Sequence, residues 1–300
     1  MVFRSLIINF ATKSNKTEKM ETTLSNRLHI RVSQQTMAFA AKDSTTGQVI
    51  YEPYIVRSGV SMAANLREAF RNSNLLNSGY RRAQLIVDTP TVLVPLQEFE
   101  QEQAADLYQH AISQQEGCEI VNEVLPSLNA VLLFAVNRDL RMVVNDHFDD
   151  VRLTHVMPVV WSHMQNRSYS TVGGRSENAI AMGRRKVYVY FHDKKAEVFS
   201  FDKNRFRFAN TFEGTRSRDV VYFVLHVWKQ LGCQPETDEL FLAYDNTQAD
   251  TAENRQDREW ILEALRRYVQ KVYTVNPSAE FNRAPVTQVK GIPFDLMMMF

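Results

Sequence analysis

From Leu28 onward the chain alternates apolar and polar positions with a period of two. Leu28, Ile30 and Val32 face away from His29, Arg31 and Ser33, which predicts a strand with one better-buried face. Met37 to Ala41 and Val49 to Val56 read as second and third strands, joined by the turn-forming run Asp43, Ser44, Thr45, Thr46, Gly47. Ser61 then caps a helix that carries Met62, Leu66, Ala69 and Phe70 on one side. The same order returns at Lys186 to Trp228. Val187 to Phe191, Glu197 to Phe201 and Arg205 to Ala209 read as strands, with a four-residue turn His192 to Lys195 between the first two. Thr215 or Ser217 caps the helix that follows, whose apolar residues Val220, Val221, Phe223, Val224, Val227, Trp228 and Leu231 run nearly all round it before Gly232 stops it. Such a helix is expected to be buried.

The first copy continues with strands at Ala83 to Val87 and Val92 to Leu96 and an amphipathic helix over Gln97 to Ser113 with Ala104, Leu107, Tyr108, Ala111 and Ile112 inward. A wholly apolar strand at Ala130 to Val136 comes next, then a helix from Arg138 to Phe148, a strand at Arg152 to Val156 and a helical Pro158 to Met164. The second copy continues with a strand at Leu240 to Tyr244, an acidic loop from Asp245 to Asn254 and a helix over Asp257 to Gln270 that buries Trp260, Ile261, Ala264, Leu265, Tyr268 and Val269. A strand at Lys271 to Val275 ends it. Pro277, Pro285 and Pro293 predict an extended tail, and its apolar end, LMMMF, needs a groove to dock in. Each copy approximates β-β-β-α-β-α-β, the order of the ribonuclease H-like fold. Two in tandem predict α/β architecture with mixed sheets of the actin, sugar kinase and Hsp70-like kind. The expected divisions are a loose extension at 1–24 with Met20 as an alternative start, one half at 25–165, a connection at 166–184, a second half at 185–276 and the tail at 277–300.

Three passages, DTPTVLVPLQEF at Asp88 to Phe99, YFHDKKAEVFSFDKNRFRFANTF at Tyr190 to Phe212 and NPSAEFNRAPVTQVKGIPFDL at Asn276 to Leu296, together resemble a bacterial family known as domain of unknown function 3822. That likeness runs from about Leu24 to the end and implies no particular activity. In layout, LIVDTPTVLVPLQEF, NAVLLFAVNRDLRMVVNDHF and RLTHVMPVVW are similar to the actin-like cytoplasmic domains of type II secretion and type IV pilus assembly proteins, a likeness of architecture.

Actin-like ATPases hold phosphates in the turn between the first two strands of each half, where Asp-x-Gly lets backbone N–H groups approach the anion. Here the first turn is Ser33, Gln34, Gln35, Thr36, without acid or glycine, and the second offers Asp193 beside Lys194 and Lys195. A phosphate contact at Asp193, Lys194 and Lys195 competes with a plain solvated turn, and the Gly173–Gly174 pair falls in the connection. No cofactor is implied. His147, His155 and His163, with Asp146, Asp149 and Asp150 nearby, span several elements and predict no metal centre. No G-x-S-x-G elbow or comparable nucleophile context occurs, so no catalytic residue is assigned.

Across 300 residues the net charge is +1, which gives no global field for nucleic acid or membrane. The charge is uneven, however. Asn166 to Arg218 holds twelve Lys and Arg against five Asp and Glu, where Arg205 and Arg207 interleave with Phe206 and Phe208. Cations beside rings suit single-stranded nucleic acid, and strand alternation produces the same pattern. Cys118 and Cys233 alone, far apart, predict neither disulfide framework nor thiolate site, and fit a reducing, cytoplasmic setting. No apolar run approaches the roughly 18 residues of a membrane span. The functions left open are a non-catalytic scaffold for a protein partner, a divergent nucleotide-binding switch, and a nucleic acid-binding accessory using 166–218.

Overall fold

The computed structural model describes residues 26–113, 116–169, 185–202, 205–245 and 251–300. By packing, the described residues of Met1–Val92, Ala104–Val121 and Leu133–His155 form one unit. Leu93–Gln103, Asn122–Leu132 and Val156–Phe300 form a second. The expected 1–24 extension and most of the expected connection, Gly173 and Gly174 included, lie outside the described residues.

Unit one is built on β1 (Leu28–Val32), β2 (Met37–Lys42), β3 (Val49–Tyr54), β4 (Arg82–Val87) and β8 (Asp150–His155), in the order β3-β2-β1-β4-β8. The first three strands run antiparallel, while β4 lies parallel to both β1 and β8. Helix α1 (Met62–Asn72) buries Leu66, Ala69 and Phe70, and the Ser61 hydroxyl accepts from the Ala64 N–H at 3.2 Å as its cap. Its buried Asn65 ties down the entering loop, accepting from the Arg57 N–H at 2.8 Å and donating to the Val60 and Ser61 carbonyls. Helix α3 (Arg138–Asn145) packs against α1, and just beyond it the His147 ring stacks on Phe70 at 3.7 Å. One expectation changes. Both faces of β1 are buried, His29 and Arg31 along with Leu28 and Ile30, because β1 is the middle strand of the sheet.

Between β4 and β8 come β5 (Thr91–Pro95), α2 (Ala104–Ala111), β6 (Cys118–Leu125) and β7 (Ala130–Asn137); the three strands pair in the order β5-β7-β6. The chain passes from one unit to the other within this insertion. Helix α2 is shorter than the sequence predicts. Residues Leu96–Glu98 and Gln101–Gln103 form separate 3-10 turns, and of the expected inward side chains only Ala104 and Tyr108 are buried.

Unit two repeats the plan with β9 (Arg185–His192), β10 (Lys195–Asp202), β11 (Arg205–Glu213), β12 (Glu239–Tyr244) and β13 (Val272–Thr274), in the order β11-β10-β9-β12-β13. Again a meander of antiparallel strands is followed by two parallel ones. Helix α5 (Ser217–Gln230) covers it with Val220, Val224, Val227 and Trp228, and ends where Gly232 turns left-handed at φ 64°. Arg216, not Thr215 or Ser217, takes the cap position, and Tyr222 lies 64% exposed on a helix expected to be enclosed. Helix α6 (Ala252–Arg266), capped by Thr251, buries Ile261 and Leu265 while Trp260 and Tyr268 face outward. Helix α4 (Val156–Tyr169) precedes β9 and buries Trp161 and Met164.

The tail is not extended. Pro277 and Pro285 open α7 (Pro277–Glu280) and a 3-10 turn, and Pro293 precedes α8 (Phe294–Met297), each using a fixed proline φ to start a turn rather than prevent one. Helix α8 docks on α4, where Phe294, Leu296 and Met297 are fully buried.

Candidate functional site

In open α/β sheets, ligands are bound beyond the carboxyl ends of parallel strands. In unit one those ends are marked by buried polar groups: Ser33 after β1, Asp88 after β4 and His155 closing β8. The Asp88 N–H bonds the Val32 carbonyl at 2.9 Å, which fixes the crossover. His155 Nε2 receives the Thr89 N–H at 3.3 Å and stands 2.8 Å from the Thr89 carbonyl.

The turn from β1 to β2 is where a phosphate would meet backbone N–H groups, and its own side chain already uses them. Ser33 Oγ accepts from the N–H of Thr36 at 3.0 Å and of Gln35 at 3.3 Å, and it lies 2.8 Å from Thr36 Oγ1. The Ser33 N–H closes the turn on the Thr36 carbonyl at 2.9 Å. Arg31, 2% exposed, donates to Thr36 Oγ1 at 3.2 Å. With these N–H groups satisfied inside the turn, an incoming anion has to displace a hydroxyl.

The matching turn in unit two holds the sequence-predicted Asp193, Lys194 and Lys195. It is tighter than four residues, because His192 pairs with Lys195 and only Asp193 and Lys194 turn, at φ 43° and 61°. Two successive left-handed residues suit the twist of a hairpin, and no glycine signals them here. Gly214 lies against this turn and donates to the Lys194 carbonyl at 2.7 Å; a Cβ there would sit 2.8 Å from the Lys195 carbonyl carbon. A cavity of about 80 Å³ adjoins, lined among others by Lys194, Lys195, Thr215, Ser217 and Arg258. Such a space suits a small anion but falls well below the roughly 300 Å³ of a pocket for a nucleotide-sized ligand.

Beyond the carboxyl ends of β9 and β12 lies the tail itself. The Tyr190 hydroxyl donates to Asp295 Oδ2 at 2.8 Å, and the Phe294 N–H donates to Asp245 Oδ1 at 3.3 Å. The Phe294 ring packs 5.9 Å from Tyr190, itself stacked on His192 at 4.6 Å. Local sequence patterns missed Tyr190, Asp245 and Asp295; the pairing spans 105 positions.

Of the three histidines weighed for a metal, His147 stacks on Phe70, His155 meets Thr89, and His163 Nε2 lies 3.0 Å from Glu280 Oε1. Each has its own neighbours. Arg205 and Arg207 both point outward from β11, the outer strand of its sheet. The aromatic ring between them is engaged: Phe206 packs 5.5 Å from Trp161 and 5.7 Å from Phe201. Among the described residues no helix is long and apolar enough to cross a membrane.

Two sheets, each an antiparallel three-strand meander extended by two parallel strands, define the actin-like ATPase fold. The chain belongs to the family described as Protein of unknown function (DUF3822), whose profile matches residues 15–272. It is similar to a Bacteroides thetaiotaomicron protein with actin-like ATPase fold and unknown function, at 22% identity over 88% of this chain and 97% of that one, with a TM-score of 0.73. It is also similar to a chain of the PilM–PilN type IV pilus biogenesis complex, at 12% identity over 92% and 97%, with a TM-score of 0.53. No curated protein matches it.

Proposed function

We propose that this protein is a non-catalytic actin-like scaffold that works in the cytoplasm by binding another protein, without a nucleotide cofactor. The observation that carries this reading is Ser33: its hydroxyl takes the N–H groups through which the first turn would hold a phosphate. The Asp295 segment adds support, since it fills space beyond the carboxyl ends of β9 and β12. Phosphoryl transfer depends on positioning, and neither turn offers a glycine cradle. The structurally similar PilM chain was solved in complex with a protein, PilN, which is consistent with protein binding on this fold.

Titration calorimetry with Mg-ATP tests the reading. The expected result is no saturable heat at protein concentrations near 0.1 mM. A micromolar dissociation constant that is abolished by Asp193→Ala would overturn it in favour of a nucleotide-dependent switch. One feature favours that second reading, the cluster of Lys194, Lys195 and Arg258 around the 80 Å³ cavity.

A further inference from the structure

Unit two contains a second and larger recess, of about 610 Å³, within the range of pockets that hold a ligand. It is lined by Arg205, Phe206 and Arg207 of β11, by Pro95 at the end of β5, by Leu128 and by Gln165 of α4, among others. Both β11 and β5 are outer strands of their sheets. An outer strand presents main-chain N–H and C=O groups that no neighbouring strand of its own sheet takes up.

The chemistry of the lining is one-sided. It contains two guanidinium groups and no carboxylate, and the remaining side chains are apolar or neutral. Arg207 leans toward Asp202 at 3.9 Å, yet its side chain stays 60% exposed. A ligand that fits must therefore offer both negative charge and apolar groups. An extended peptide does this when acidic and aliphatic residues alternate, because successive side chains point to opposite faces. A nucleic acid strand would bring the charge and would need free rings for its bases, and Phe206 is packed against Trp161 and Phe201.

We infer that this recess is the partner-binding surface, and that its occupant is an extended acidic segment of another protein, laid along β11 with its carboxylates on Arg205 and Arg207. This rests on the protein-binding reading above and gives it a place and a ligand chemistry. Main-chain pairing along the strand supplies affinity and the two guanidinium groups supply selectivity.

The test is fluorescence anisotropy on the full chain with three labelled probes: an octapeptide alternating glutamate with valine and leucine, its lysine-for-glutamate counterpart, and a twelve-nucleotide oligothymidylate. The acidic peptide is expected to bind in the micromolar range and to weaken as NaCl rises from 50 to 500 mM. The double variant Arg205→Glu and Arg207→Glu should weaken it by about tenfold or more. Both positions are exposed, so the fold should be retained, as circular dichroism would verify. Ser127→Trp, at an exposed lining position, should block the recess while leaving the charges in place. Equal binding of acidic and basic peptides, tighter binding of the oligonucleotide, no binding of the acidic peptide, or indifference to both variants would each overturn the inference. If the acidic peptide fails and Mg-ATP gives no heat, only this surface is wrong; if Mg-ATP binds, the scaffold reading is wrong as well.

Discussion

Tyr190 and Asp295 are joined by a 2.8 Å hydrogen bond, and both are almost wholly removed from water. A carboxylate in such a place is stable only while its donors stay. Tyr190→Phe removes one donor without opening a cavity and should destabilise the protein by about 2 kcal/mol, as expected for a buried bond to a charged group. Asp295→Asn, which keeps the shape and removes the charge, should cost less. Urea denaturation of the three proteins checks the ranking, and an unaltered midpoint for Tyr190→Phe would show that the tail contact contributes nothing.

Ser33→Ala should lower stability by about 1 kcal/mol, in the manner of a lost cap, because the Gln35 and Thr36 N–H groups then lose their bonds to the Ser33 hydroxyl. The measurement is the unfolding midpoint. A change larger than about 3 kcal/mol would mean that Arg31 and Thr36 depend on this hydroxyl far more than their bonds indicate.

Gly214→Ala should destabilise the β9–β10 hairpin. The added carbon would meet backbone atoms of Lys194 and Lys195 at 2.8 to 3.0 Å, and backbone cannot swing aside as a flexible side chain can. Overpacking of this kind costs about 1–3 kcal/mol. Thermal unfolding reads it, and a wild-type melting temperature would contradict the geometry.

Burial, with the Arg27 charge as a second cause, lowers the His29 pKa from 6.5 to about 4. Between those values the unfolded chain takes up a proton that the folded protein refuses. This contribution to stability is therefore complete above pH 6.5 and declines as pH falls toward 4, by about 3 kcal/mol in all. His29→Gln should flatten that part of the profile. Identical slopes for wild type and variant between pH 7 and 4 would remove His29 as the cause.

The Cys233 thiol is pushed up to about 11, chiefly by burial and then by Asp238, so little thiolate exists at neutral pH. Cys118 is raised too, by burial, but is only half-buried. Ellman's reagent should label Cys118 first and reach Cys233 only on unfolding, a difference that mass spectrometry of tryptic peptides would resolve. Simultaneous labelling in the native protein would contradict the burial.

Much of the fold could be read from hydrophobic spacing, because its two five-stranded sheets repeat one plan and their inner strands are largely buried. Leu28 to Val32 announces itself by alternation and Ala130 to Val136 by apolar content alone. Cys118–Leu125 did not, since most of it is half-buried and it shows no alternation of inside and outside. Helix α2 is shorter than its sequence predicts because a 3.6-residue period carries on through two 3-10 turns. The prolines of the tail misled in the other direction: Pro277 and Pro285 begin helical turns rather than breaking one. At the candidate sites, the composition of the Ser33 to Thr36 turn and of Asp193 to Lys195 was visible. What Ser33 does with its hydroxyl was not, and neither was the meeting of Tyr190 with a residue 105 positions away.

The two sheets end in the same pair of parallel strands, yet the chain takes different routes to the last one. From β12 to β13 it crosses Asp245 to Lys271, while from β4 to β8 it must first lay down Asp88 to Asp149, with three strands of another sheet. Each doubling of an unformed loop adds roughly 0.6 kcal/mol to the entropy of closing it. During assembly β13 can therefore zip into place early, whereas β8 has to wait, which leaves the outward edge of β4 as the surface most open to a wrong match before the native one arrives.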